Sequence, residues 1–193
     1  MKKNLLFGLL IFMTATMISS CGGSKELKWS TFEKIADKRG ERMIMVELYT
    51  SWCGWCRRME KFTFNDPVVA KYMNKNFYSI RFNAEERRAV EFLGKNYRFN
   101  PSDTRRGRHE LAAALMMDSE KQGYPTIIFL DENYNLIQAI PGYSTAPDFE
   151  AIMHYFGDGA YKNTAWVDFV AKYKIGDAKY STTNSDSTLK PEK

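Results

Sequence analysis

Met43-Ile44-Met45-Val46-Glu47-Leu48-Tyr49 runs, through Thr50-Ser51, into Trp52-Cys53-Gly54-Trp55-Cys56. The apolar run reads as a buried strand, and the cysteine pair then opens the next helix. Cys53 therefore sits where unpaired backbone N–H groups and the helix dipole stabilise a thiolate. Two cysteines at this spacing can close and reopen a disulfide. The competing readings are a permanent disulfide and half of a metal site. Zinc needs more ligands; there is no second cysteine pair and no His-x-x-x-His, since His109 and His154 stand alone. Redox use of Cys53 and Cys56, with no metal and no organic cofactor, is the expectation.

The one other cysteine, Cys21, ends a targeting segment. Lys2 and Lys3 form a basic start, Leu5 to Ile18 an apolar stretch of signal-peptide length, and Ser19-Ser20 place small residues before the cysteine. The stretch is short for a membrane span. Ile18-Ser19-Ser20-Cys21 followed by Gly22-Gly23 resembles the lipobox of bacterial lipoproteins, in which the cysteine is acylated. On that reading residues 1–20 are a signal peptide and residues 21–27 a lipidated tether. The alternative is a plain secretory signal with a cysteine nearby. Either way the domain is exported into an oxidising compartment, where a reactive dithiol must be poised by dedicated redox partners.

Residues 28–176 are about one domain long and large enough for a sound core. The tail from Asp177 to Lys193 is too polar to fold by itself and is expected to be disordered. Losing Lys2 and Lys3 takes two charges from a formal +5, and that small excess, with no accompanying motif, does not argue for nucleic acid. Thr31 or Ser30 can cap a helix whose Phe32, Ile35 and Ala36 share a face, ending near Gly40. The helix from Cys53 should break at Asn65-Asp66-Pro67, because Asp66 is a capping residue and Pro67 suits a first helical position. A strand over 77–82 follows. Val90 to Phe92 and Tyr97 to Phe99 about Gly94 suggest a hairpin, with a helix over 85–93 as competitor. Further expectations are a helix over 108–117, strands over 127–130 and 136–140, and helices over 148–156 and 164–173. Alternating strands and helices imply an α/β fold, a mixed central sheet flanked by helices.

Trp-Cys-x-x-Cys after a strand, Tyr124-Pro125-Thr126 before a strand hairpin, and a closing helix together resemble a thioredoxin fold. The stretch 45–71 is especially similar to the C-terminal thioredoxin domain of DsbD-type thiol:disulfide interchange proteins. It shares Glu47-Leu48-Tyr49, Trp52-Cys53, Cys56, Glu60-Lys61 and Thr63-Phe64-Asn65-Asp66-Pro67. Coverage runs from about Phe32 to Phe156. Residues 81–122 depart from the pattern by an inserted hairpin and an arginine-rich loop around 85–110, so partner choice does not transfer.

The resemblance implies a stand-alone, lipid-anchored periplasmic thiol:disulfide oxidoreductase, a monomer, acting on exported proteins that carry disulfides. Recycling would need a membrane thiol-reductant transporter of the DsbD or CcdA type. Cys53 is the implied nucleophile and Cys56 the resolving thiol, with Gly54 giving backbone room. Glu47, six residues before Cys53, matches a buried acid that helps deprotonate the resolving cysteine; its alternative is a solvent-facing strand position. Glu60 matches a second acid near the site, or is simply a solvated helix residue. Pro125 matches the family's cis-proline, which leaves the Tyr124 backbone free to pair with a substrate segment. Trp52 and Trp55 would offer an apolar surface to a partner chain, ordinary packing being the alternative and more so for Trp52. No histidine occupies position 55 to stabilise the thiolate, so a reductant or isomerase is expected rather than an oxidant. Arg105, Arg106 and Arg108 either meet an acidic partner or headgroups, or form a solvated loop. A non-catalytic thioredoxin-fold binding module or chaperone is the competing class.

Overall fold

The computed structural model describes residues 26–116 and 123–176. The signal segment, Cys21 and the polar tail lie outside the described residues. Of the expected tether, Leu27 is already buried in the core, so packing begins one residue early.

Trp29–Ser30 forms a two-residue strand, β1, and the Thr31 hydroxyl caps a single turn, α1 (Phe32–Ile35), by accepting the Lys34 N–H. Phe32 and Ile35 are buried, but Ala36 is exposed, because the helix stops before completing a second turn. β2 (Met43–Tyr49) follows, then α2 (Gly54–Met59), which runs on without a break into a π-helical stretch over Glu60–Phe64. The stop at Asp66-Pro67 is as expected: Asp66 Oδ1 accepts the Val68 and Val69 N–H groups at 2.8 and 3.2 Å and starts α3 (Pro67–Asn76). β3 (Phe77–Asn83) comes next. The hairpin reading then holds over its helical competitor, but with its second strand at 95–97 rather than 97–99, Phe99 joining a separate ladder. β4 (Val90–Phe92) pairs with β5 (Lys95–Tyr97) across Leu93 and Gly94, both at positive φ as a two-residue hairpin turn requires. β6 (Phe99–Asn100) pairs with β7 (Arg108–His109), and α4 (Glu110–Met116) follows. The helix expected from residue 108 starts two residues later, since Arg108 and His109 extend against β6 and the His109 N–H is taken by the Ala84 carbonyl at 2.7 Å. β8 (Thr126–Leu130), β9 (Leu136–Pro141), α5 (Ala146–Gly157) and α6 (Trp166–Gly176) complete the described chain.

Five strands form the central sheet in the order β1-β3-β2-β8-β9, with β1 and β2 parallel to β3, and β8 and β9 antiparallel to their neighbours. Side chains alternate across it. Ile44, Val46 and Leu48 join one apolar cluster with Phe32, Leu111 and Phe92; Met45 joins a second with Met59, Phe64, Met73, Phe149 and Phe156. The second cluster belongs to the face that α2, the π-helical stretch, α3 and α5 cover. Glu47 shares its parity with Met45. The register sets it beside Arg81 of β3 on one side and Ile127 of β8 on the other. This is the mixed sheet with helices on both faces that the alternating pattern implied, with the insertion carried as the two short β ladders.

Candidate functional site

Cys53 occupies the N-cap of α2 and is disulfide-bonded to Cys56, with Cα atoms 5.3 Å apart. The Cys56 N–H points at Cys53 Sγ over 3.0 Å, and the Cys53 N–H is tied to the Thr50 carbonyl at 3.1 Å. An N–H directed at the capping sulfur is what holds a thiolate once the bond opens. Cys53 retains 4% exposure in this oxidised form and Cys56 none, so the expected order holds but by a narrow margin. Gly54 is not forced by space: a Cβ there would meet only Arg57 Nη2, at 3.9 Å, which is an ordinary contact.

Trp52 and Trp55 stand half exposed on either side of the pair, at 50% and 48%. Trp52 is thus no more packed than Trp55, against expectation. Its indole N–H donates to Glu85 Oε1 at 2.9 Å and its ring meets Tyr124 edge-on at 6.1 Å, whereas Trp55 lies against Tyr143 at 5.4 Å. Those two contacts tie the cysteine helix to the segments at either end of the β8–β9 hairpin. The Tyr124–Pro125 peptide is cis, Pro125 is buried, and its carbonyl accepts the Gly142 N–H at 2.8 Å.

Glu47 is fully buried, so the alternative of a solvent-facing strand position does not hold. Arg81 Nε approaches its Oε2 to 3.0 Å, but neither carboxylate oxygen receives an aligned hydrogen bond among the described residues. Burial pushes Glu47 up to about 7; Arg81 opposes the rise and the neighbouring charge of Glu60 adds to it. Glu60 itself begins the π-helical stretch, is 39% exposed, and takes Arg81 Nη1 at 2.6 Å. The guanidinium also lies over the Tyr49 ring at 4.3 Å. Arg81 therefore joins the two acids, a role not anticipated from sequence. The signal was present: Arg81 interrupts an apolar strand as Glu47 does, and each is the fifth residue of its strand in the parallel β2/β3 register.

The arginines of the inserted loop divide. Arg108 is buried and ion-paired with Asp103, with Nη1 3.6 Å from Met116 Sδ, so it is no part of a solvated loop. Arg105 and Arg106 are exposed, and the Arg106 guanidinium lies 5.4 Å from the centre of the Trp52 ring.

A family model described as a thioredoxin-like domain matches residues 30–157. The chain is 27% identical to the thiol:disulfide interchange protein DsbD of Pectobacterium atrosepticum over 115 residues, which is 58% of this chain and 16% of that one. It is 28% identical to DsbD of Haemophilus ducreyi over 121 residues, 62% of this chain and 17% of that one. It thus spans about a sixth of these relatives' length. A thioredoxin-fold protein from Helicobacter pylori superposes with a TM-score of 0.53 at 21% identity, over 72% of this chain and 83% of that one, a likeness of fold. The sheet order, the cysteine pair at a helix start and the cis-proline before β8 sit within the matched span, and the chain belongs to the thioredoxin-like domain family.

Proposed function

We propose that this chain is an envelope thiol:disulfide oxidoreductase that reduces or isomerises disulfides of exported proteins, anchored through an acylated Cys21. The reading rests above all on one arrangement: the Cys53–Cys56 disulfide at the N-cap of α2, on the sheet face to which the fully buried Glu47 projects. The reduced pair supplies the electrons. The Cys53 thiolate attacks one sulfur of a substrate disulfide, that bond breaks, and the first substrate sulfur leaves as a thiolate that takes a proton from solvent. Cys56 then gives its proton to Glu47 and attacks Cys53 Sγ, which expels the second substrate thiolate and closes the Cys53–Cys56 bond. Two electrons pass from the pair to the substrate. A membrane thiol-reductant transporter of DsbD or CcdA type would restore the dithiol. Trp55, at the position where a histidine would stabilise the Cys53 thiolate, favours the reducing direction.

Trapping tests the assignment. Cys56→Ser should accumulate a mixed disulfide at Cys53 with a disulfide-bonded protein substrate, visible as an adduct by mass spectrometry, and Cys53→Ser should not. The half-exposed Trp52, Trp55 and Phe62 favour, as a second reading, a binding module that holds unfolded envelope proteins. That reading predicts no adduct in either variant and undiminished holding activity when both cysteines are serine.

A further inference from the structure

A groove of about 510 Å3 opens beside the redox pair, and the inserted loop builds its far wall. Its near wall is Trp52 and Tyr124, the residues next to Cys53 and Pro125 respectively. Arg105 and Arg106 are the central residues of a tight turn closed by the Gly107 N–H on the Thr104 carbonyl at 3.0 Å, with the Thr104 hydroxyl donating back to the Gly107 carbonyl at 3.0 Å. Gly107 is at a φ of +77°, and a side chain there would run into the Phe99 ring. Arg108 and Asp103 pin the turn from below. The turn thus holds both arginines at the groove rather than leaving them on a loose loop.

The charges do not cancel. Asp103 neutralises Arg108, and among the described residues the one acid on the groove wall is Glu85, which keeps its charge while accepting the Trp52 indole N–H, so Arg105 and Arg106 leave the described wall net positive. Among the described residues, no carboxylate lies within ion-pair distance of Arg105 or Arg106, and both side chains are exposed. A planar guanidinium matches a carboxylate in a fork of two hydrogen bonds.

We propose that this groove is a subsite for an acidic stretch of the polypeptide whose disulfide engages Cys53, with Arg105 and Arg106 receiving its carboxylates. The inference rests on the redox reading of Cys53 and Cys56 and adds to it a substrate class. A chain that presents a sulfur to Cys53 passes over Trp52 and Tyr124 and so enters the groove. Each extended residue advances about 3.3 Å, which places the favoured Asp or Glu within a few residues of the target cysteine. A polypeptide is the better occupant than a membrane headgroup because the near wall of the groove is Trp52 and Tyr124, the residues directly before Cys53 and Pro125.

Two disulfide-bonded peptides matched except for Glu-Glu or Gln-Gln beside one cysteine provide the test, together with cysteine-free versions titrated against the oxidised protein. The reduced wild-type protein should turn over the acidic peptide with a kcat/KM about tenfold higher at low salt, two exposed charge contacts each contributing a factor of about three. The preference should fall towards one in about 1 M salt, where the Debye length is about 3 Å. It should also fall towards one in Arg105→Gln/Arg106→Gln, and the salt series decides the matter should that variant not fold. The cysteine-free acidic peptide should bind more tightly than its amide counterpart by a similar factor, a readout that survives even if electron transfer fails. Equal kcat/KM for both peptides together with equal binding would overturn the subsite. Loss of binding to phosphatidylglycerol vesicles in the double variant, without any peptide preference in wild type, would overturn it too and assign the arginines to a lipid surface.

Discussion

Glu47 carries a carboxylate with no exposure, one misaligned cation and no aligned donor among the described residues. Such a group binds a proton more readily than it would in water, and a value of about 7 suits the proton transfer from Cys56 proposed above. The sign of its effect on stability follows. The folded state keeps a proton that the unfolded chain releases near 4.5, so stability falls as pH rises from about 4.5 to about 7. The full cost, on the order of 3 kcal/mol, is present above that window and absent below it. Glu47→Gln should therefore stabilise the protein at pH 8 by about 1 to 2 kcal/mol and leave it unchanged or weaker at pH 4, as denaturant titrations would read. In single-turnover reduction the same substitution should leave the first attack by Cys53 near its wild-type rate and slow resolution by about a hundredfold or more. It should also remove a rise in the resolution rate through pH 7. An unchanged resolution rate would make Glu47 a spectator. The two cysteines and Glu47 were legible because a motif and a lone acid in an apolar strand stand out along the chain. Arg81 was not, since its meaning depends on the strand register and on the path of the π-helical stretch that delivers Glu60.

Local rules decide most elements. Thr31 and Asp66 each cap a helix from sequence positions that announce it, and Pro67 takes the first turn of α3, whereas α5 starts at Ala146 on a Thr145 cap, two residues before the expected 148. Where tertiary partners decide, the reading failed: β7 exists because β6 and the Ala84 carbonyl take the backbone of Arg108 and His109, which no local pattern specifies. His109 stays buried there, its Nδ1 accepting the Leu111 N–H at 3.1 Å, and burial lowers its pKa. One local feature runs against propensity. Leu93, 54% exposed, holds a φ of 54° in the β4–β5 turn, where the missing preference of leucine for that region costs about 1 kcal/mol. Leu93→Asn should recover about 0.5 to 1 kcal/mol and raise the melting temperature without altering turnover. A lower melting temperature would mean that the Leu93 side chain makes a stabilising contact that outweighs its backbone strain.

At the scale of the molecule, the sheet separates two apolar clusters and carries the site at the C-terminal end of β2, next to the start of β8. The fold class was legible because hydrophobic period and helix stops alternate along the chain. The groove was not, because it needs the insertion folded back against Trp52. Location is a property of the whole chain. If Cys21 is acylated, the mature protein should sediment with membranes and Cys21→Ser should release or misprocess it, since acyl chains drive insertion by burying methylenes. An unmodified residue 21 in a fully soluble product, by mass spectrometry, would remove the anchor. The chemistry stands apart from that outcome. Its most direct test is the reduction potential of the Cys53/Cys56 pair, read by mass or by tryptophan fluorescence across a graded series of thiol–disulfide buffers. A reversible two-electron transition at or below about −180 mV, in the range that runs from protein disulfide isomerase to thioredoxin at about −270 mV, is the predicted result. A potential near the strongly oxidising value of about −120 mV, or a disulfide that never reopens across the series, would contradict it.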